Sequence, residues 1–374
     1  MKTLLRLLLK SQHQRNRSGS AQTEKGMTLV ELLVGSIMAF LIITPMLAFV
    51  VDMLNTDRRE QVKSNTEQDI QAAVDFIAQD LSQAIYIYDN RALNGPPGPN
   101  EELVSPQLPQ NANETPILVF WKRQQLKNAL PINPTVAASI KPINCADQTP
   151  SQCNDTYVLS LVAYYQIRGN DLTWCQPAGG TCPTRIVRYE IRDGIDRVID
   201  PSFPGGITPY GANTTPAQRT DPAFNTSADS DGTTSFNLNN PTVNVTHPPG
   251  LIDLNSGARN PQVLVNYIDH STQNVPVPTG AECQDILGFV PPAVTPTGTP
   301  AFDPEHLLIT DRSSTPSAHS FYACVDTSKN IARVTIRGNS LRRIQNNYAD
   351  YDAKKAAYFP TATVQVQGLG ARGR

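Results

Sequence analysis

Glu31 is a charged side chain at the start of a long apolar run, so its carboxylate needs a polar surrounding or a partner of opposite charge. Residues 32–51 carry no charged side chain, and as a helix they would span about 30 Å, the thickness of the hydrocarbon core of a bilayer. A carboxylate carried to the bilayer centre costs about 2.5–3.5 kcal/mol. Glu31 therefore either lies at the level of the lipid headgroups, as in a signal-anchor helix, or has a cationic partner.

The residues before this run form a separate basic leader. Residues 1–26 hold six of the 31 Lys and Arg residues but one acidic residue, Glu24. A basic flank predicts a cytoplasmic N-terminus, so that the chain after the apolar run faces outward. The apolar run is too long for a cleaved secretory signal. Because the net charge of the chain is −2 and the part after the leader is acidic, we expect no nucleic-acid partner.

The stretch KGMTLVE (residues 25–31), followed by the apolar run, resembles the class III signal of type IV pilins and pseudopilins. In that family a prepilin peptidase cleaves after the glycine, here Gly26, and methylates the new amino terminus, here Met27. The fifth mature residue of the family is a glutamate, here Glu31. Met27 departs from the more common phenylalanine. The resemblance implies that the Met27 ammonium pairs with Glu31 of its own or a neighbouring subunit, which fixes the subunit stagger in a filament.

Pro45 lies inside the same predicted helix. It has no N–H to donate to the carbonyl of Leu41, so we expect the helix to be weakened or kinked there. Pilins commonly carry a proline in this part of the helix, which loosens within filaments. The resemblance thus implies a part for Pro45 in filament assembly, and a tolerated membrane-helix proline is the alternative.

The stem sequence of residues 51–90 looks like that of the hormogonium polysaccharide-secretion pseudopilins of filamentous cyanobacteria, which are related to W-type minor pilins. This resemblance implies a non-catalytic minor subunit, without a cofactor, of a filament that supports polysaccharide export and gliding motility. The alternatives are an adhesive or DNA-uptake minor pilin and a minor pseudopilin of type II secretion, each binding a ligand through its head.

The resemblance also implies partners and a location. The partners are a prepilin peptidase/methyltransferase, other pilins or pseudopilins, an inner-membrane assembly platform, the membrane itself and an exported polysaccharide. The chain would cross the inner (plasma) membrane once, with its leader in the cytoplasm and its head in the periplasm, before it enters a periplasmic or cell-surface filament.

Cysteine usage predicts disulfides outside the cytoplasm. The six cysteines fall into the neighbouring pairs Cys145/Cys153, Cys175/Cys182 and Cys283/Cys324. Zinc is the alternative, but no pair has the spacing C-x2-C of zinc sites. Neighbour pairing is a preference, since other connectivities are allowed.

Other motifs predict little chemistry. Asp229 and Asp231 form a weak calcium candidate, because Leu238 stands where a calcium loop needs a glutamate; a solvated turn is favoured. GLGARG (residues 368–373) matches a dinucleotide fingerprint, yet only Arg374 follows it, so no helix is there to bind pyrophosphate. The sequence contains no zincin, Walker or G-x-S-x-G motif. We therefore expect a protein that is not an enzyme.

A long helix must position Glu31 and Pro45. Its apolar face carries residues at spacings of three and four, at Ile70, Val74, Ile77, Leu81 and Ile85. Its polar face holds Asp69, Asp75 and Asp80 among others. The sequence has no proline or glycine between Pro45 and Gly95, which predicts one helix over residues 28–88. A coiled coil is the alternative, but residues 55–69 have few apolar positions.

Residues 91–374 predict a β-rich head. The predicted strands cover residues 117–121, 157–168, 185–192, 263–268, 321–325, 331–337 and 361–366. The fifth and sixth would form a hairpin carrying Cys324, which could bind Cys283 in the preceding loop, and Cys175/Cys182 would close a turn between two longer strands. Residues 200–261, rich in Pro, Asn, Thr and Gly, predict a surface insertion that is partly flexible.

The expected fold class is α+β and type IV pilin-like: a long N-terminal α-helix packed on a β-rich head with an antiparallel sheet and long loops. The predicted divisions are the cleaved leader (1–26), the transmembrane or filament-core helix (27–51), the amphipathic stem helix (52–90) and the head (91–374).

Overall fold

The computed structural model describes residues 28–95, 108, 113–131, 153–169, 171–192, 197–199, 207–209, 262–291, 302–311 and 318–369. Gly26, Met27, Cys145, Asp229 and Asp231 lie outside these residues, as does most of the predicted insertion 200–261. The chain divides into two compact units, Met1–Arg58 and Arg59–Arg374.

Helix α1 runs over Leu29–Ser82 and continues through Pro45. The predicted long helix is confirmed, but it ends before the predicted residue 88. The next residues, Ala84–Ile87, form strand β1 instead, because the sequence AIYI is β-branched and aromatic and pairs with a neighbouring strand.

The unit after Arg58 contains the remaining elements of the described residues. The other α-helices are α2 (Asn90–Asn94) and α3 (Gly280–Leu287). The other strands are β2 (Glu114–Pro131), β3 (Cys153–Ile167), β4 (Thr184–Arg192), β5 (Arg197–Ile199), β6 (Ile207–Pro209), β7 (Gln262–Ile268), β8 (Leu308–Thr310), β9 (Phe321–Asp326), β10 (Ile331–Arg337) and β11 (Thr361–Gln367). Short 3-10 helices cover Pro304–Leu307, Leu341–Arg343 and Ala353–Tyr358.

The strands form two larger antiparallel sheets. One has five strands in the order β1-β2-β3-β4-β7, and the other has four in the order β11-β10-β9-β8. Strands β5 and β6 pair with each other. The predicted hairpin is confirmed as β9 and β10. The fold class is therefore α+β, with a long N-terminal helix packed against antiparallel sheets.

The two larger sheets meet at a bridge between Ile268 and Gly338. A Cβ atom on Gly338 would lie 2.1 Å from Cδ1 of Ile70 and 3.0 Å from Cγ2 of Thr66, both on α1. A side chain at position 338 would have to displace the ends of these two side chains, so glycine favours the close approach of α1 here.

The apolar face of the second half of α1 is buried in the main core. Ile70, Val74, Ile77 and Leu81 are each at most 1% exposed and pack with residues of both larger sheets. Burial of a side chain of this size contributes about 1.5–3 kcal/mol. The predicted amphipathic pattern is thus confirmed for these four residues, whereas the fifth, Ile85, lies on β1 instead of the helix. Hydrophobic burial holds this half of the helix on the sheets.

Asp80 corrects the predicted polar face, because it is buried rather than exposed to solvent. Its Oδ1 accepts a hydrogen bond from Nζ of Lys122 at 3.0 Å. Its Oδ2 accepts from Nε of Arg188 and from the hydroxyl of Tyr164, each at 2.7 Å. The helical period alone could not reveal this burial, since the partners come from three different strands.

The same cluster contains a second carboxylate, Glu190, whose Oε2 lies 2.7 Å from Nη2 of Arg188. Burial raises the pKa of Asp80, but hydrogen bonds from Arg188 and Tyr164 and the charge of Lys122 outweigh it and hold that pKa below its usual value. Burial also raises the pKa of Glu190, and the charges of Lys122 and Arg188 again bring it below its usual value. Both acids are therefore stabilised in their ionised forms.

Two predicted disulfides are present. Cys175 and Cys182 close the turn between β3 and β4, as expected, and Cys283 is bonded to Cys324 of β9. Cys283 lies on helix α3, which corrects the expectation of a loop there. Cys145 and the side chain of Cys153 lie outside the described residues, so their pairing stays a prediction.

Candidate membrane and assembly segment

The first half of α1 exposes a continuous apolar surface. Every residue from Thr28 to Glu60 is exposed, and the large apolar side chains among them include Leu29 at 82% and Phe40 at 72%. None of the most apolar stretch of α1 is buried. Among the described residues, α1 is the one helix whose length and composition would let it cross a membrane.

Glu31 lies at the start of this segment, in the first turn of α1. Its amide donates to the carbonyl oxygen of Thr28 at 3.0 Å, and the amide of Leu32 donates to the same oxygen at 3.2 Å. The hydroxyl oxygen of Thr28 lies 3.5 Å from Oε2 of Glu31 and 3.4 Å from the backbone nitrogen of Glu31. Both distances are long for hydrogen bonds. A carboxylate in the first turn is favourable, because it faces unpaired backbone N–H groups.

Thr28 contributes to the start of helix α1, and the sequence interpretation did not identify it. The pattern T-x-x-E over residues 28–31 is the signature of a capping box and could have identified it. Glu31 therefore has a local role at the helix start beside its predicted pairing with the Met27 ammonium. Met27 and Gly26 lie outside the described residues, so cleavage and charge pairing stay predictions.

The polar side chains within the apolar run are satisfied inside the helix. The hydroxyl of Ser36 donates to the carbonyl oxygen of Leu33, and that of Thr44 donates to the carbonyl oxygen of Phe40, both at 2.8 Å. Such bonds allow hydroxyl groups to enter an apolar environment without a large desolvation cost. Thr44 makes its bond directly beside Pro45, where the backbone N–H needed for the next helical hydrogen bond is missing.

Charged residues resume immediately after the apolar run. Asp52 is the first of them, followed by Asp57 and Arg58 on the same exposed helix. The segment between Glu31 and Asp52 is thus an uncharged exposed helix bounded by acids at both ends. The geometry suits an apolar surrounding for the middle of the segment and a polar one for its ends.

No protein-family model, curated protein or solved structure matches this chain. Its architecture is pilin-like: a long apolar N-terminal helix packed on antiparallel sheets. The two described disulfides lie in the unit after Arg58, and the calcium candidate lies outside the described residues.

Proposed function

We propose that this protein is a non-catalytic minor pseudopilin that assembles through α1 into a type IV pilus-like filament supporting polysaccharide secretion and gliding motility. The observation that carries the proposal is the exposed apolar surface of residues 29–54 on a helix whose later turns bury their apolar side chains. An apolar surface of this extent needs lipid or protein around it. A membrane before assembly and neighbouring helices after it would supply both.

The chemistry at the start of the segment supports assembly rather than anchoring alone. Cleavage after Gly26 would create an ammonium group at Met27, one helical turn before Glu31. In a core of packed helices an unpaired carboxylate is costly, and pairing with an ammonium group removes much of that cost. Subunits would therefore settle at the stagger that brings the two charges together.

The same reading assigns partners and a location. A prepilin peptidase/methyltransferase would process the chain, and an inner-membrane platform would assemble it with other pilins or pseudopilins. The disulfides of the head fit an oxidising compartment outside the cytoplasm. The chain would thus begin in the plasma membrane and end in a filament, with its head outward.

The test is complementation of a strain that lacks the gene. The strain receives the wild-type chain, Glu31→Gln, or the control Asp52→Asn, which alters an exposed acid of the same helix at the other end of the apolar run. The N-terminal mass reports cleavage and methylation, a sheared cell-surface fraction reports filaments, and a stain for exported polymer reports secretion.

We expect wild type and Asp52→Asn to restore filaments and polymer. Glu31→Gln should be cleaved but should reach the sheared fraction at a level at least tenfold lower. Equal assembly of Glu31→Gln and wild type would overturn the pairing role, and normal polymer export in the deletion strain would overturn the secretion function.

A further inference from the structure

A cleft of about 610 Å³ lies on the outer face of the four-stranded sheet. Along β10 the side chains alternate, so that Val334 and Ile336 enter the core while Thr335 and Arg337 line the cleft. The volume falls within the range of small-ligand sites, roughly 300–1,000 Å³. Other lining residues come from β9, from α3 and from the segment before β11: Tyr322, Glu282, Asp285, Tyr351 and Phe359.

One wall of the cleft is helix α3, which is held in place covalently. The Cys283–Cys324 disulfide joins it to β9. At its start, the amide of Thr279 donates to Oε2 of Glu282 at 3.0 Å, and the amide of Glu282 donates to the Thr279 hydroxyl at 3.2 Å. The capping box stabilises the start of helix α3, and the disulfide attaches the helix to β9.

The opposite wall is formed by residues before β11 and is also fixed. The amide of Tyr351 donates to the hydroxyl of Ser271 at 2.6 Å. The rings of Tyr351 and Phe359 pack edge to face with their centroids 5.1 Å apart. A cleft between two fixed walls is preformed, so a ligand would not have to order it.

The cleft combines aromatic rings with hydrogen-bonding groups. Tyr322 and Tyr351 are half-buried, so each keeps only part of its surface at the cleft. Tyr322 packs against the cluster around Cys283. The Tyr351 ring packs against Phe359, and the Arg337 guanidinium lies 5.4 Å from its centroid. The exposed carboxylate of Asp285 and the hydroxyl of Thr361 can accept hydrogen bonds. A pyranose ring has the complementary chemistry, since its C–H face stacks on aromatic rings and its hydroxyl groups donate to carboxylates.

Charge decides which sugars suit the cleft. Arg337 lines it, but its Nε donates to Oδ2 of Asp269 at 2.9 Å and its Nη2 donates to the carbonyl oxygen of Ala318 at 3.1 Å. The exposed charges at the cleft are the carboxylates of Glu282 and Asp285. An acidic, sulfated or phosphorylated sugar would be repelled.

We infer that this cleft binds a neutral oligosaccharide, with Tyr322 and Tyr351 stacking on sugar rings and Asp285 accepting hydrogen bonds from their hydroxyl groups. The inference does not depend on filament assembly, because every lining residue belongs to the β-rich unit. It adds a ligand site to a protein whose proposed function is mechanical.

The test uses the full chain in a polyoxyethylene ether detergent, whose headgroup contains no sugar that could compete. The labelled protein is applied to a panel of neutral hexose, 6-deoxyhexose and N-acetylhexosamine oligosaccharides. Uronic-acid oligosaccharides, sulfated oligosaccharides and a proline-rich peptide are tested in the same way as alternative ligands. Ala356→Trp fills the cleft, whereas Ala357→Trp places the same bulk on the next exposed residue, which does not line it.

We expect the panel to identify neutral oligosaccharides, with affinity abolished by Ala356→Trp and unchanged by Ala357→Trp. Asp285→Asn should weaken binding about tenfold, the effect of removing one charged acceptor, while Asp75→Asn on α1 should not. Binding of no neutral oligosaccharide, selective binding of an acidic sugar or of the peptide, or equal effects of the two Trp variants would overturn the inference.

Discussion

The Arg342 guanidinium is held inside the loop that the Cys175–Cys182 disulfide closes, with its Nε donating to the carbonyl oxygen of Thr181 at 2.8 Å. Its Nη2 donates to the carbonyl oxygens of Pro177 at 2.9 Å and Gly179 at 2.8 Å. Arg342 is fully buried. A loop of the five-stranded sheet therefore binds a cation from the segment after β10 through backbone oxygens.

Arg342→Lys tests this loop, because lysine keeps the charge but cannot reach three carbonyl oxygens with a planar fork. We expect the free energy of unfolding in urea to fall by about 2–3 kcal/mol, since hydrogen bonds to charged groups contribute about 1.5–3 kcal/mol each. The control is Arg343→Lys, whose ion pair with the exposed Asp69 should contribute about 1 kcal/mol or less. Equal losses in the two variants would contradict the role assigned to the loop.

The buried cluster around Asp80 predicts loss of stability in acid. The pKa values of Asp80 and Glu190 are lowered in the folded protein, so the unfolded chain binds protons first as the pH falls. The contribution is complete above the unfolded pKa values, about pH 4, and is lost as the pH falls through the folded ones. Urea unfolding between pH 3 and pH 7 would measure this slope.

Asp80→Asn should weaken that pH dependence and cost about 3–5 kcal/mol at pH 7, because it leaves buried Arg188 and Lys122 with less compensating charge. Asp75→Asn is the matched control, since Asp75 is exposed on the same helix. If both variants retained the wild-type slope below pH 4, the Asp80 cluster would not be the source of acid sensitivity.

Thr28→Ala separates the two roles of Glu31. The Thr28 contacts at 3.5 and 3.4 Å are long, so their loss should cost less than the about 1 kcal/mol of a full N-terminal cap. We expect slightly faster amide hydrogen exchange in the first turn of α1, with Thr28→Ser close to wild type. Filament yield should fall far less than for Glu31→Gln. If Thr28→Ala removed filaments as completely as Glu31→Gln, capping rather than charge pairing would explain the requirement for Glu31.

Pro45→Ala supplies the backbone N–H that can donate to the carbonyl of Leu41. We expect slower amide hydrogen exchange around residues 41–49 in detergent micelles, because the helix gains a hydrogen bond. If loosening of the helix assists assembly, the variant should also yield fewer filaments. Met46→Ala, an exposed apolar truncation beside it, is the control. Unchanged filament yield would leave Pro45 as a tolerated membrane-helix proline.

Sequence periodicity predicted the helices and strands whose apolar side chains repeat along one face. The helical spacing of Ile70, Val74, Ile77 and Leu81 placed one face in the core, and the alternation in β10 placed that strand with its observed bounds. Helix α3 was missed, although Thr279, Glu282 and the left-handed Gly288 are its cap signals.

The remaining differences come from contacts that are distant in sequence. Strand β2 runs far beyond the predicted residues 117–121, because its polar second half pairs with β3 rather than showing its own alternation. Asp80 is buried because Lys122 and Arg188 meet it from two strands. A one-dimensional pattern contains neither partner, so it assigned Asp80 to solvent.

Gly338 has a mechanical consequence. Ile70 of the helix sits directly over the glycine through which the two larger sheets are bridged. We therefore expect a load applied to α1 at this level to reach both sheets through this junction. A side chain at position 338 would have to displace the ends of the Ile70 and Thr66 side chains, so we expect Gly338→Ala to weaken the attachment of α1 at this junction.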